Sequence, residues 1–293
     1  VGVGESFSNR AGVVFVELSV VGKVVCRYHR VDMENEPTIL AIETSASLAS
    51  VALGEGPTVL AEEPFNAQLR HAGQLVPAIE QLLRRYGRSA DDLDELYLSA
   101  GPGSFTGLRL AVTAAKALAF ALPRLRVVAV PSNDVLALNA FVAAEAFGVA
   151  VEHVAVVIDA QQGMVYGACY RLVGGSERGV RGASADEGGS LVPGMEPIVA
   201  AVRMRPEALL AASPRPLHVL GEAVRRHSEV LGGRDIVCLS EEYSVPHAAN
   251  VHRCGYRRAR AGCFCDPYAL EPLYLRRPEA VVRWEERHGK GSS

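Results

Sequence analysis

Gly101-Pro102-Gly103-Ser104-Phe105-Thr106-Gly107-Leu108-Arg109 is the stretch on which the reading of the fold turns. It follows Glu95-Leu96-Tyr97-Leu98-Ser99-Ala100, which reads as a strand, and it opens a helix over residues 108–122 that Pro123 stops. Glycines permit a tight backbone path, and amides at a helix start can face an anion. Gly101, Gly103, Ser104, Thr106 and Gly107 are therefore candidates for anion contact, with Thr44 and Ser45 beside Glu43 as further ones. A second reading stays open, in which Ser104 or Thr106 caps the helix and the loop is a packed turn. The loop is not a nucleotide P-loop, because no Gly-Lys-Ser/Thr follows, and it lacks the spacing of a dinucleotide fingerprint.

Upstream of the loop, Ile39-Leu40-Ala41-Ile42-Glu43-Thr44 and Ser50-Val51-Ala52-Leu53 read as a β-hairpin, with a third strand near Thr58-Val59-Leu60. Leu75, Val76, Ile79, Leu82, Leu83 and Tyr86 then recur at three- and four-residue steps, the mark of an amphipathic helix over 68–86 that Gly87 ends. Downstream come a strand at 127–130 and an alanine-rich helix over 133–147. A three-strand meander followed by alternating helices and strands suggests the ribonuclease-H-like unit of the actin-like ATPase (ASKHA) superfamily, an analogy of fold only. A second hairpin, 153–159 and 164–170 around the Gln161-Gln162-Gly163 turn, echoes the first, and later strands are expected at 217–221 and 235–239.

The expected architecture is thus α/β, with two ribonuclease-H-like subdomains built on mixed sheets. Residues 38–149 form the first and 150–284 the second, with a C-terminal helix that can pack back on the first; 285–293 is a tail. Residues 173–196, rich in Gly, Ser and Glu, read as a surface excursion. Residues 1–37 read as an extension, disordered or lying upstream of a true start at Met33. The apolar run inside it is broken by Glu17 and Lys23, too short and too charged to span a membrane, and it lacks the marks of a secretory signal.

The 293 residues are 49% hydrophobic and 22% charged, enough for two moderate cores, and a formal charge of -3 provides no global field for phosphate backbones. Any nucleic-acid contact must be local or borrowed from a partner. Six cysteines in this length are too sparse for a disulfide framework, and a reducing cytoplasm is the simplest setting.

The loop from Gly101 to Arg109 resembles the signature of the TsaB (YeaZ) branch of the TsaD-like (Gcp-like, glycoprotease-like) family. Three further segments agree in order: Ala41-Ile42-Glu43-Thr44-Ser45, Asp159-Ala160-Gln161-Gln162-Gly163-Met164-Val165-Tyr166 and Leu270-Glu271-Pro272-Leu273-Tyr274-Leu275-Arg276. The resemblance spans residues 38 to about 280. It implies a non-catalytic subunit of the complex that forms N6-threonylcarbamoyladenosine in tRNAs reading ANN codons. Such a subunit pairs with and activates a catalytic TsaD-like subunit, while a TsaE-like ATPase docks on the pair and tRNA is engaged through the complex. No cofactor is required by the chain itself, although ATP or ADP can lie at the partner interface, and the chain alone can form a homodimer.

In the catalytic branch, the resemblance leads one to expect a His-x-x-x-His metal pair just after the strand that follows the second helix. Here the place reads Pro131-Ser132-Asn133-Asp134-Val135-Leu136, so neither catalytic residues nor metal ligands are expected. Glu43 and Asp159 end strands where related ATPases approach a phosphate-bound cation. The longer acid at 43 weakens the case for autonomous ATP hydrolysis. His247, His252, Cys254, Cys263 and Cys265 gather five potential zinc ligands, but their spacing fits no Cys-x-x-Cys knuckle, and the segment reads as a capped helix after Pro246. Arg253, Arg257, Arg258, Arg260, Arg276, Arg277 and Arg283 form the densest basic stretch; a solvated helix face is the usual meaning, and direct tRNA contact the alternative.

The helix over 108–122 carries only Arg109 and Lys116 as charges and is otherwise apolar on nearly every side, so it is either sandwiched within the chain or meets another protein. The family resemblance favours a partner. It implies an interface of Leu75, Ile79 and Leu82 from the first helix with Leu108, Val112, Ala115, Leu118 and Ala119 from the second. The competing function is a self-sufficient actin-like-fold enzyme: a kinase, a carbamoyltransferase or a glycoprotease-like hydrolase. The missing histidines weigh against the last two.

Overall fold

The computed structural model describes residues 36–66, 71–147, 151–173 and 194–272. The expectations for Met33 and the extension before residue 36, residues 174–193 of the excursion at 173–196, the arginines at 276, 277 and 283, and the tail lie outside these residues; at 195–196 the excursion gives way to a strand.

Strands β1 (Thr38–Glu43), β2 (Leu48–Glu55) and β3 (Thr58–Asn66) form an antiparallel meander. Helix α1 (His71–Arg85), β4 (Glu95–Gly101), helix α2 (Phe105–Ala121) and β5 (Arg126–Pro131) follow, with β4 and β5 parallel to β1. The sheet order is β3-β2-β1-β4-β5. Two short helices, α3 (Ser132–Ala137) and α4 (Asn139–Phe147), stand where the sequence suggests a single helix. Asn139, at the junction, turns its side-chain amide to the carbonyls of Tyr243 and Val245 far along the chain, at 2.9 and 2.7 Å.

The second unit repeats the first. Strands β6 (His153–Asp159), β7 (Val165–Leu172) and β8 (Met195–Met204) are antiparallel neighbours, and β9 (Leu217–Leu220) and β10 (Ile236–Cys238) run parallel to β6. The order β10-β9-β6-β7-β8 is that of the first sheet, read from the other edge. Helices α5 (Pro206–Ala212) and α6 (Ser228–Leu231) belong to this unit. Strand β8 has no counterpart in the sequence reading, because its solvent-facing residues dilute the apolar alternation. The repeat extends to detail. Gly101 at the end of β4 and Gly221 just past β9 hold φ of 116° and 123°, a region open to glycine at little cost. Two mixed sheets with flanking helices in duplicated order are the actin-like two-subdomain arrangement.

Strand alternation assigns the cores. Leu40 and Ile42 of β1 face α1 and α2, in a core with Leu53, Leu75, Leu82 and Leu98. Ile39 and Ala41 point the other way, into an inner core shared with Val154, Val156 and Ile158 of the second sheet. A third core lies behind β6 and β9 under α5. Helix α7 (Ala248–Arg260) is placed by sequence order in the second unit, yet it lies across the inner face of the first sheet, against β1, β2, β4 and β5. The chain stays there, as Cys265 bridges to Val127 and Leu270 enters the outer core of the first sheet. Among the described residues, no helix is long and apolar enough to cross a membrane.

The eight interface residues inferred from the sequence are relocated by this packing. Leu75, Ile79, Leu82, Val112 and Ala115 are buried in the core on the chain's own first sheet, with Leu118 half-buried against it, and Leu108 and Ala119 are buried as well. Ala115 has no exposed surface at all, so a glutamate there would bury a charge inside the monomer rather than report on a partner. The apolar helix is explained on its inner side by the sheet.

Gly255 is where α7 touches the sheet most closely: a Cβ added there would fall 2.4 Å from the ring of Tyr97, itself fully buried. Gly→Ala inside a helix ordinarily gains up to about 1 kcal/mol. Here Gly255→Ala is expected to lose about 1–3 kcal/mol by overpacking. Urea unfolding of the two proteins checks the sign.

Candidate functional site

The loop following β4 is built against the turn that follows β1. Gly101-Pro102 is a cis peptide, and Ser104 caps α2, its Oγ accepting the Gly107 N–H at 3.3 Å. The Ser104 N–H donates to the Ser45 carbonyl at 2.7 Å, and the Thr44 hydroxyl donates to the Gly107 carbonyl at 2.7 Å. A Cβ on Gly107 would fall 1.8 Å from the Thr44 carbonyl oxygen, and one on Gly103 would fall 2.5 Å from that of Ser45. These two glycines are therefore required by close backbone approach. Two amides that a bound anion would need, those of Ser104 and Gly107, are spent within the protein. Thr106 is exposed on the first turn of the helix. The structure thus brings Gly101, Gly103, Ser104, Thr106, Gly107, Thr44 and Ser45 together as a capped, interlocked turn.

Glu43 closes β1 beneath this turn. Its carboxylate is fully buried, with Oε1 accepting the Ser45 N–H at 2.6 Å and Oε2 accepting the Ser99 hydroxyl of β4. Burial pushes the Glu43 carboxyl above its usual range, against the bonds from Ser45 and Ser99 that favour the charged form. Ser50, opposite Glu43 on β2, extends the polar row. The Ala248 N–H at the start of α7 donates both to Ser50 Oγ at 2.9 Å and to Glu62 Oε1 at 2.8 Å, while His247 Nδ1 stands 3.5 Å from the same carboxylate. A carboxylate at a helix N-terminus satisfies orphan amides and complements the dipole. The sequence signal for this row was the presence of Ser50, Glu43 and Ser99 on strands otherwise apolar.

The place where the family resemblance leads one to expect metal-binding histidines is filled differently. Asn133 donates to the Tyr166 carbonyl of the second sheet at 3.1 Å. Asp134 accepts from the Tyr170 hydroxyl at one oxygen and from Arg258 of α7 at the other, both at 2.7 Å. With both carboxylate oxygens engaged and no imidazole in the segment, this donor set does not fit a metal. Asn250 ties the same region together, donating to the Val135 carbonyl and to Asn139 Oδ1.

The other candidates are dispersed. His252 and Cys254 lie on the buried side of α7 itself, where burial holds the His252 imidazole neutral with a pKa of about 3. Cys265 turns its thiol to the Val127 carbonyl. Among the described residues, no three His, Cys, Asp or Glu side chains gather as a metal site. Of the basic stretch, Arg258 is committed to Asp134 and Arg253 to Asn250. Asp159 mirrors Glu43 at the end of β6, accepting the Gln161 N–H at 3.0 Å, but it is partly exposed and pairs with Arg226.

The outer side of α1 and α2 carries exposed side chains of a different kind. On α2 the exposed positions are Phe105, Thr106, Arg109, Thr113, Ala117, Phe120 and Ala121, recurring at helical spacing with a single charge, and Arg109 stacks over the Phe105 ring. Phe120 is 78% exposed, and Val76 on the neighbouring α1 is 64% exposed. Small residues at 113, 117 and 121 would let another helix approach closely.

A family profile described as "TsaD: tRNA N6-adenosine threonylcarbamoyltransferase" matches residues 62–259. The chain is similar to the Bacillus subtilis tRNA threonylcarbamoyladenosine biosynthesis protein TsaB, 29% identical over 257 residues, covering 85% of this chain and 98% of that protein. A solved Pseudomonas aeruginosa structure, described as an uncharacterized protein with similarity to peptidase YEAZ, superposes with a TM-score of 0.64 at 28% identity, covering 82% of this chain and all of the other. A second structure, YeaZ from the same organism, gives 0.62 at 26% identity over 81% of this chain and 99% of its own.

The pairing of Glu62 with His247 carries a pH signature. Burial pushes the Glu62 carboxyl up, but bonds from His247, Ser50 and the Ala248 amide outweigh it and hold it below its ordinary 4.5; the Glu62 bond raises His247 above 6.5 against its own burial. The Glu62 contribution is therefore present above 4.5 and lost as pH falls through the lowered value. That of His247 is full below 6.5 and lost as pH rises through the raised value. Urea unfolding across pH should show the pair contributing most between 4.5 and 6.5, and Glu62→Gln should flatten both limbs.

Proposed function

The chain belongs to the TsaD family of tRNA N6-adenosine threonylcarbamoyltransferases, in its TsaB (YeaZ) branch, and from that membership we propose that it is the non-catalytic subunit of the assembly that forms N6-threonylcarbamoyladenosine in tRNAs reading ANN codons. The observation that carries the non-catalytic part is the fate of residues 132–134. Where a metal pair would orient the substrate in the catalytic branch, Asn133 donates its side-chain N–H to the second sheet and both Asp134 oxygens are taken by Tyr170 and Arg258, with Ser132 Oγ and Asn133 Oδ1 buried alongside without a hydrogen-bond partner. A chain with that place closed contributes by binding. Its partner is a catalytic TsaD-like subunit of the same fold, with a TsaE-like ATPase docking on the pair, tRNA engaged through the complex, and ATP or ADP at the partner interface. The setting is the cytoplasm, where tRNA is modified.

The docking surface in this reading is the outer stripe of α1 and α2. On α2 it is apolar, poor in charge and built of small residues leading to Phe120, and α1 adds Val76, with the charged Glu80, Arg84 and Arg85 at its far end as a polar rim; such a stripe suits close helix packing against an equivalent helix. The same stripe can pair two copies of this chain when the partner is absent.

Reconstituted tRNA modification should require both this chain and the TsaD-like subunit, and the chain alone should turn over no nucleotide; full modification without it would defeat the proposal. On the outer stripe, Ala117→Glu and Phe120→Asp should each weaken binding to the TsaD-like subunit by about tenfold or more, as expected for loss of a buried anchor. Their melting temperatures should stay close to that of the parent, which Ala115→Glu, in the core, will not match.

A further inference from the structure

We infer that Glu43 is the positioning residue of the docking helix: its carboxylate fixes the turn after β1, and that turn fixes the first turn of α2. The inference rests on the proposed function, since it concerns the helix whose outer stripe is read as the partner contact.

The linkage is continuous. Glu43 Oε1 holds the Ser45 N–H, and the carbonyl of the same Ser45 holds the Ser104 N–H at the cap of α2. Between them, the Thr44 hydroxyl holds the Gly107 carbonyl while the Thr44 carbonyl stands where only a glycine can face it. The second carboxylate oxygen is anchored to Ser99 on β4, the strand that delivers the loop. Both strands that approach α2 are thereby joined through one side chain, which must be long enough to reach its own turn and the neighbouring strand together.

The duplicated fold supplies an internal comparison. Asp159 occupies the matching strand end in the second unit and accepts the matching amide, of Gln161. Its other oxygen goes to Arg226 at the surface, where the ion pair is screened and contributes little. A carboxyl with no exposed surface is costly to bury and is tolerated only when fully hydrogen-bonded. The first unit bears that cost at the one strand end that abuts the docking helix, and the second unit does not.

The test compares Glu43→Gln, Glu43→Ala and Thr44→Val. Glutamine keeps an acceptor for the Ser45 amide, and the Ser99 hydroxyl can turn to accept from its NH₂. Glu43→Ala should raise amide exchange at residues 104–108, leave β6 and β7 protected, and weaken binding to the TsaD-like subunit by about tenfold, the scale of one lost hydrogen bond to a charged group. Glu43→Gln should restore both readouts to within about threefold of the parent, a rescue at the hydrogen-bond scale. If Glu43→Ala does not fold, Thr44→Val, which removes only the hydroxyl that grips Gly107, must show the same local exchange and weakened binding. Parent-like binding by Glu43→Ala, or by Thr44→Val when the alanine variant is unfolded, overturns the inference. Loss of binding by Phe120→Asp in that case leaves the proposed function standing. If the parent chain itself fails to bind the TsaD-like subunit, the proposed function falls and this inference with it.

Discussion

The inner core between the two sheets governs the rest of the molecule. Ile39 and Ala41 on one side and Val154, Val156 and Ile158 on the other are burying the same apolar surface, with α3, α4 and α7 filling the space between them. Helix α7 is admitted only because Gly255 presents no side chain to Tyr97. Once it is there, the chain after the second unit is committed to the first, and the two units are tied by backbone as well as by packing. In an interior packed at crystal-like density, such a helix leaves little room for anything else.

The polar groups of this region follow from that arrangement. Asn133, Asp134, Asn139, Tyr170, Asn250 and Arg258 are buried or nearly so, and each finds a partner on another element. Apart from Asn133 Oδ1 and Arg258 Nε, which are buried without a hydrogen-bond partner, these paired groups stabilise one arrangement over its neighbours, because a shifted arrangement leaves further desolvated groups unpaired. The ends of the strands that would border a ligand cleft between the two units therefore act as a joint.

Outer and inner sides of the first sheet have accordingly diverged. On the inner side, strand ends carry Ser50, Glu43 and Ser99, with Glu62 and His247 at the start of α7. On the outer side, α1 and α2 bury apolar residues against the sheet; α2 turns small and aromatic residues away from it, and α1 turns out Val76 together with Glu80, Arg84 and Arg85. The loop from Gly101 to Arg109 lies between the two sides, so its glycines respond to two demands: close approach to Thr44 and Ser45, and delivery of α2 at a set angle.

Much of this was legible in the amino-acid sequence alone. Periodicity located β1, β2, β4 to β7 and α1, because alternation and the three-to-four step are local properties of a chain that buries one face. The duplicated meander, and with it the actin-like fold, followed from the order of those elements, and the missing histidines after β5 were visible as written. Strand β8 escaped, since an edge strand exposed along most of its length has no apolar alternation to read. What only the tertiary structure decided was which apolar residues are core and which are surface. Val112 and Ala115 look as available as Ala117 and Phe120 in the sequence of α2, and the sheet beneath the helix separates them. In the same way, no spacing rule places Glu43 beside Ser99, or Asp134 beside Arg258, 124 residues later. Those pairings arise because long-range strand order and the return of α7 bring together groups that local sequence cannot count.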